Sequence, residues 1–123
     1  MVEKRVRHHK INYVELAAKD LEATKKFFGQ AFSWTFTDYG DEYTACEGRG
    51  HVDCGFYQAD KASDTEEGGA LIVLYSEKLE ETESKVKRAG GTIVKEIFEF
   101  PGGRRFHFKE PSGNEFAVWS DVL

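Results

Sequence analysis

The chain has 123 residues, 40% hydrophobic and 32% charged, which suits one domain or two very small modules that share a core. Its 17 Lys and Arg against 22 Asp and Glu give a net charge of −5. That balance argues against nucleic acid as a partner, because phosphate binding needs a basic footprint. No apolar run approaches the ~20 residues of a membrane-spanning helix, so no membrane partner is expected.

The two cysteines indicate whether the protein is found in a reducing or an oxidising compartment. Cys46 and Cys54 could lie opposite each other if a turn is centred near Gly50, but two thiols in 123 residues are not a disulfide framework. The basic amino-terminal segment leads directly into a strand-like segment and lacks the apolar stretch of a secretory signal. We therefore predict free thiols and a cytoplasmic protein.

The first half of the chain reads as a strand, a helix and three further strands. Residues 11–16 alternate, with Tyr13 and Glu15 on one face and Val14 and Leu16 on the other. Asp20 is a suitable cap for a helix from about Leu21 to Phe32 that buries an aromatic face. Turns at Gly40-Asp41 and Gly48-Arg49-Gly50 separate three predicted strands, 34–39, 43–47 and 52–58.

The second half repeats this order after a polar, glycine-ended linker at about 59–69. An apolar strand at 70–75 precedes a helix stripe of Leu79, Thr82, Val86 and Ala89, which Gly90-Gly91 ends. Three strands follow, at 92–100, 104–109 and 115–119. A shift of 58 residues places Leu21 on Leu79 with strands and helices in register.

The repeat predicts an α+β fold of two tandem βαβββ modules within one domain spanning 1–123, with module 1 at about 10–59 and module 2 at about 70–121. Each module is too small to be stable alone. Two mixed four-stranded sheets that face a cleft would bury the bare sheet surface, and the cleft would be the natural ligand site. Tyr13 and Glu15 are expected to face it.

Three stretches carry a resemblance to the vicinal oxygen chelate superfamily of glyoxalases, bleomycin-resistance proteins and dioxygenases. They are Tyr13 to Leu21, Phe27 to Trp34, and Phe106 to Val118, which contains Glu-Pro-Ser-Gly-Asn. The resemblance covers nearly all of residues 10–121. It implies this fold and a homodimer, in which some subgroups complete the cavity with the partner, while the pairing of modules within or between chains stays open.

The resemblance also implies positions for a metal triad. Metal-dependent relatives place ligands on the first strand, at the matching place on the fifth strand, and four residues past the glycine of the Pro-x-Gly-Asn turn. Those positions carry over to Tyr13, Leu71 and Ala117. A phenol, an isobutyl group and a methyl group are not ligands for Zn²⁺, Mn²⁺ or Fe²⁺. We therefore predict no metal and no cofactor.

Glu15 and His107 are the candidate catalytic residues. An inward carboxylate on a strand is unfavourable unless it is hydrated or paired, so Glu15 is either a pocket residue or a structural hydrogen-bond anchor. His107 could exchange protons near neutral pH, or it could be a partly solvated strand residue. The candidate ligand-binding residues are Tyr13, Leu71, Arg105, Glu115, Ala117 and Trp119.

Two of these residues could instead have only a structural role. Arg105 shares the parity of His107 and could bind a carboxylate or phosphate, or it could be an exposed surface arginine. Trp119 could stack on an apolar ligand, or it could be ordinary core.

Two functions follow from these expectations. The first is a metal-free binding or resistance-type protein that holds a small, partly apolar organic molecule between the sheets. The alternative is a lyase or isomerase in which Glu15 and His107 act as base and acid on a carbonyl substrate, with a metal recruited by Glu15, His107 and Glu115 as a further option. A purely structural module is a third reading.

Overall fold

The computed structural model describes residues 8–48 and 52–123, and their elements repeat the order strand, helix and three strands. The first module contains β1 (Tyr13–Ala18), α1 (Leu21–Phe32), β2 (Phe36–Asp38), β3 (Tyr43–Cys46) and β4 (Asp53–Gln58). The second contains β5 (Ile72–Tyr75), α2 (Leu79–Arg88), β6 (Thr92–Phe100), β7 (Gly103–Lys109) and β8 (Glu115–Ser120).

Each module forms a mixed four-stranded sheet, in the orders β1-β4-β3-β2 and β5-β8-β7-β6. The first strand of each module pairs in parallel with the last, and the other neighbours are antiparallel. The predicted α+β fold of two βαβββ modules is therefore confirmed.

Helix α1 begins and ends where its sequence directs. The Asp20 side chain accepts a hydrogen bond from the backbone N–H of Ala23 at 3.1 Å, which satisfies one free donor of the first turn. Ser33 adopts the left-handed conformation, φ 62°, and its N–H bonds to Gly29 O at 3.1 Å. The predicted bounds of this helix are correct.

The two modules share one core. Side chains of α1 and α2 and the helix-facing side chains of both sheets pack in a single cluster. In it, the ring centre of Phe28 lies 5.7 Å from that of Phe56 of β4 and 5.1 Å from that of Phe116 of β8. Because one ring of α1 contacts both sheets, neither module closes its core without the other. The modules are thus joined on the helix side of their sheets.

A buried polar network reinforces this junction. Thr24 Oγ1 of α1 donates to Glu110 Oε1 at 2.7 Å, and Ser112 Oγ lies 2.7 Å from Thr24 Oγ1. Asn114 donates to Ala17 O of β1 and to Glu110 Oε2, both at 2.7 Å. The Glu-Pro-Ser-Gly-Asn segment that carried the family resemblance therefore fastens module 2 to module 1.

Several predicted element bounds differ from the structure by one to three residues. The first strand runs over Tyr13–Ala18 rather than 11–16, because its parallel pairing with β4 continues to Ala18 opposite Gln58. The predicted strand at 34–39 shortens to Phe36–Asp38, since Trp34 instead stacks on Phe28 at 4.6 Å. The predicted turn at Gly48-Arg49-Gly50 lies partly outside the described residues.

Candidate functional site

Each sheet has one face turned away from the helices, and the predicted site residues other than Leu71 lie on these two faces. We call face A the open side of the first sheet, and face B the open side of the second. Strand pairing and alternation give their members. Face A carries Tyr13, Glu15, Tyr43, Gly55 and Tyr57, and face B carries Val73, Tyr75, Arg105, His107, Glu115, Ala117 and Trp119.

The two faces do not meet within one chain. No hydrogen bond, ion pair or aromatic contact joins face A to face B among residues 8–48 and 52–123. Tyr13 and Tyr57 of face A are 41% and 42% exposed, and Val73 and Tyr75 of face B are 43% and 49% exposed. The single chain therefore leaves part of each surface open, whereas His107, Glu115 and Ala117 of face B are almost fully buried.

On face A, two phenols and a carboxylate form a hydrogen-bonded chain. Tyr43 Oη donates to Glu15 Oε2 at 3.0 Å and is also hydrogen-bonded to the hydroxyl of Tyr13. Gly55 lies directly beneath, and a Cβ at that position would lie 2.7 Å from Tyr43 Cζ. A glycine is therefore needed for the two hydroxyls to meet over the sheet.

This arrangement changes the acidity of Tyr43. Partial burial raises the pKa of its phenol well above the usual value of 10, and the hydrogen bonds to Tyr13 and Glu15 raise it further. The phenol of Tyr43 therefore keeps its proton and donates a hydrogen bond to Glu15.

On face B, His107 and Glu115 form a buried pair. His107 Nδ1 lies 2.7 Å from Glu115 Oε2, and the exposed fractions of the two residues are 1% and 5%. The other carboxylate oxygen of Glu115 accepts hydrogen bonds from the backbone N–H and the hydroxyl of Thr65, at 2.8 and 2.9 Å. Glu115 is diagonal to His107 across β7 and β8, a spacing that long side chains can bridge.

The environment keeps Glu115 ionised. Burial alone would raise the pKa of its carboxyl, but hydrogen bonds from Thr65 and His107 outweigh burial and hold the pKa below the usual 4.5. An ionised Glu115 accepts a proton-bearing Nδ1, so it fixes which nitrogen of the neutral imidazole carries the proton. The remaining nitrogen, Nε2, is buried and has no hydrogen-bond partner among the described residues.

Arg105 and Trp119 lie on the next row of face B. The guanidinium of Arg105 lies 5.4 Å from the ring centre of Phe98 and 5.6 Å from that of Phe100. Trp119 is the register partner of Arg105 and packs edge-on against Tyr75 at 5.2 Å. An aromatic patch thus surrounds a cation.

The three positions implied for a metal triad hold no ligating set. Tyr13 has its hydroxyl bonded to Tyr43, Leu71 lies just before β5, and Ala117 is fully buried beside its register partner His107. Within residues 8–48 and 52–123 there is no group of three or more His, Cys, Asp or Glu side chains suited to a metal ion. These residues do not fit the metal that the family resemblance implies.

The structure brings some predicted residues together and separates others. His107 and Glu115 are in contact and Arg105 is two positions away, whereas Glu15 lies on the other sheet with Tyr43. The predicted group of Glu15, His107 and Glu115 is therefore not assembled within one chain.

Sequence analysis overlooked three contributors to these sites. Tyr43 could have been found from the alternation of β3, which gives it the parity of Ala45 opposite Gly55. Phe98 is hidden because register shifts in β6 disturb the alternation that would assign its face. Thr65 belongs to the segment 59–69, which was predicted to be a linker but is hydrogen-bonded to β8 and its preceding turn.

Two shallow surface depressions lie elsewhere. One, of about 230 Å³, is lined by α1 and α2 residues including Gln30 and Arg88, and the other, of about 400 Å³, is lined by Lys87, Ile93 and neighbouring residues. Neither touches a predicted site residue. No helix in the described part of the chain is long and apolar enough to cross a bilayer.

Two βαβββ modules with open sheet faces define a class of protein, and the sequence matches the model of one family over most of its length. Residues 10–118 match the Glyoxalase/Bleomycin resistance protein/Dioxygenase superfamily, and the chain belongs to that superfamily. The resemblance predicted from the sequence is therefore confirmed. No curated protein sequence matches the chain significantly.

Solved structures of the same fold are similar over nearly the whole chain. A glyoxalase-related enzyme from Fulvimarina pelagi has a TM-score of 0.77 at 16% identity, covering 92% of this chain and 88% of its own. A family enzyme from Burkholderia phytofirmans PsJN has a TM-score of 0.75 at 15% identity, covering 90% and 98%. A hypothetical protein from S. aureus has a TM-score of 0.70 at 21% identity, covering 97% of each chain. At these identities the likeness shows the fold alone.

Proposed function

We propose that this protein binds a small, partly apolar organic molecule without a metal ion, in a cleft formed where face A of one copy meets face B of a second copy. One observation carries this proposal. The positions that metal-dependent relatives use for their ligands hold Tyr13, Leu71 and Ala117, and the neighbouring polar groups bond to one another instead.

The homodimer is argued from the open faces. Tyr13, Tyr57, Val73 and Tyr75 expose 41 to 49% of their surface on the sheet sides that the helices do not cover. A two-fold axis that places face A of one copy over face B of the other also places the second pair of faces together. Both patches are then covered, and each cleft combines residues of two chains.

Such a cleft would have a polar and an aromatic wall. Face A contributes the hydroxyl of Tyr13 and the carboxylate of Glu15, and face B contributes Trp119 and Arg105, with the buried His107 two residues from Arg105. Leu71, which is partly exposed, adds apolar surface. The two thiols, which the structure leaves unbonded, are consistent with a cytoplasmic location.

A lyase or isomerase reaction is the second candidate, and the His107–Glu115 contact favours it. Glu115 orients the imidazole, as a catalytic histidine requires, and leaves Nε2 for proton transfer. Glu15 of the facing copy would serve as the base on a carbonyl substrate. Glu15→Gln and His107→Ala would then abolish turnover of a bound carbonyl compound, whereas a pure binding protein shows no turnover to lose.

The oligomer is tested by light scattering after size exclusion. The native protein is expected at twice its chain mass of 14.0 kDa, and Val73→Asp on face B is expected at the monomer mass. Val122→Asp is the matched control, because Val122 is 45% exposed and lies beyond the end of β8. A native monomer, or a dimer that survives Val73→Asp, contradicts the proposed cleft.

Metal independence is tested by elemental analysis of protein purified without chelator, combined with a thermal-shift screen of small neutral and charged aromatic compounds. We expect no stoichiometric zinc, nickel, manganese or iron, and at least one compound that stabilises the dimer equally before and after dialysis against EDTA. A stoichiometric metal whose removal abolishes that stabilisation contradicts the proposal.

A further inference from the structure

Among the residues that the structure describes, Arg105 is a cation without a counter-ion. Its side chain makes no hydrogen bond and no ion pair within residues 8–48 and 52–123, and its Nε atom is buried. Arg104, its neighbour on the opposite side of β7, donates to both carboxylate oxygens of Glu80. The described part of the chain thus supplies a carboxylate for Arg104 and none for Arg105, whose guanidinium lies against the rings of Phe98 and Phe100.

His107 presents a second unsatisfied group on the same face. Its Nδ1 is occupied by Glu115, while Nε2 is buried and unpartnered in the described structure. Phe98 contacts both residues, since its ring centre lies 5.8 Å from that of His107 and 5.4 Å from the Arg105 guanidinium. Two nitrogen groups that lack partners therefore adjoin one aromatic ring on face B.

We propose that Arg105 and His107 form the binding subsite for the carboxylate of a small aromatic or aliphatic acid. The guanidinium presents parallel N–H groups whose spacing matches the two oxygens of a planar carboxylate. His107 Nε2 provides a further donor to one of those oxygens. Phe98, Phe100 and Trp119 supply the apolar surface for the body of the acid. This inference rests on the proposed function, because it names the ligand class of that cleft.

Charges of both signs surround His107 when such an acid is bound. The charged groups on this side of the sheet are Glu115 from β8, Arg105 and Lys109 from β7, and the exposed Lys95, the register partner of His107 on β6. Lys109 is paired with Asp64. Because Glu115 holds Nδ1–H, donation from Nε2 requires the doubly protonated imidazolium. An imidazolium and a guanidinium then face two carboxylates, those of Glu115 and of the ligand.

Glu15 is the rival source of a carboxylate. In the proposed dimer it lies on the face opposite Arg105, and it could approach the guanidinium as a counter-ion. Its Oε2 already accepts the hydrogen bond of Tyr43 within its own chain. The carboxylate of a ligand is therefore favoured over that of Glu15, and the experiment separates the two.

The probe is phenylacetate, its neutral match is phenylacetamide, and affinity is measured by isothermal titration calorimetry on the native protein. We expect phenylacetate to bind at least tenfold more tightly than phenylacetamide. Arg105→Gln should weaken phenylacetate at least tenfold and leave phenylacetamide unchanged. Arg104→Gln removes the same charge one residue away on the other face, so it should leave both affinities as in the native protein.

Two further measurements assign the contacts. Arg105→Lys keeps the charge and loses the paired N–H groups, so its phenylacetate affinity should lie between those of the native protein and Arg105→Gln. The ¹⁵N resonance of His107 Nε2 should shift on addition of phenylacetate and not on addition of phenylacetamide. Circular dichroism verifies that each variant is folded before titration.

Four results would overturn the proposal. Phenylacetamide that binds as tightly as phenylacetate would show that the carboxylate is not recognised, while leaving the proposed binding function intact. Inorganic phosphate that binds more tightly than phenylacetate would assign a different anion. Phenylacetate binding that appears only after Glu15→Gln would show that Arg105 is already paired across the dimer. A protein that binds neither phenylacetate nor any compound of the thermal-shift screen would contradict the proposed function as well.

Discussion

Thr24 of α1 and Glu110 of the loop before β8 are 86 residues apart in the chain and are joined by a buried hydrogen bond of 2.7 Å. Both residues are almost fully buried, with exposed fractions of 0% and 2%. Thr24→Val keeps the shape and removes the hydroxyl, so a buried carboxyl loses a donor. We expect the free energy of unfolding in urea to fall by about 1–3 kcal/mol.

Thr37→Val is the control for that measurement. Thr37 is an exposed residue of β2 whose side chain makes no hydrogen bond among the described residues. Its substitution should change the free energy of unfolding by no more than about 0.5 kcal/mol. Equal losses in the two variants would show that the hydrogen bond between the modules does not stabilise the fold.

The Glu115 carboxylate predicts a pH dependence of stability. Its pKa in the folded protein lies below the usual 4.5, so the folded state favours the ionised form more than the unfolded chain does. The contribution is complete above about pH 4.5 and is lost as the pH falls through the lower, folded-state pKa. The free energies of unfolding of the native protein and of Glu115→Gln, measured in urea, should therefore converge as the pH falls from neutral to acidic.

Glu66→Gln controls for the general loss of negative charge. Glu66 is exposed next to Thr65, and its side chain makes no hydrogen bond or ion pair in the described structure. Its stability profile should run parallel to that of the native protein at every pH. If the Glu115→Gln profile is also parallel, the His107–Glu115 contact does not favour the ionised carboxyl.

The regular features of the chain made the fold predictable, and the irregular ones limited the prediction of the site. The spacing of Leu21, Thr24 and Phe28 was enough to assign α1, because residues three and four positions apart lie on the same face of a helix. Strand parity likewise assigned Glu15 and His107 to the open sides of their sheets. Tyr43 and Thr65 were not foreseen as partners, since register and loop path join residues that no local period connects.

The hydrogen-bonded phenol of Tyr43 is expected to be silent in an alkaline titration. Its raised pKa means that the folded protein keeps this proton while ordinary tyrosines ionise at a pH of about 10. Tyr43→Phe should therefore leave the rise in phenolate absorbance up to about pH 11 unchanged. A smaller rise in Tyr43→Phe would contradict the retained proton.

The same phenol contributes to stability in alkali. A folded-state pKa above the unfolded value gives a contribution that is complete below about pH 10 and is lost as the pH rises towards the folded-state pKa. Glu15→Gln weakens the hydrogen bond that holds the proton, so Tyr43 should ionise at a lower pH in that variant. An unchanged titration in Glu15→Gln would contradict the role of Glu15 as the acceptor.

Cys46 and Cys54 are directly opposed on β3 and β4, and their thiols are free. Directly opposed residues of antiparallel strands have Cα atoms about 4.5–5.5 Å apart, within the range that a disulfide spans. The Cys54 thiol, by hydrogen bonding, lowers the pKa of Cys46 against the opposing effect of burial, so Cys46 is the attacking thiolate.

Diamide, which accepts two hydrogen atoms, should close an intrachain Cys46–Cys54 disulfide. The reaction is measured as the loss of both titratable thiols and of the mass of two hydrogen atoms. Cys54→Ser should instead retain one thiol or form a disulfide between chains. Glutathione added to a parallel sample serves as the control for the oxidant. Native protein that keeps both thiols under conditions in which diamide oxidises the glutathione completely would contradict the register of this hairpin.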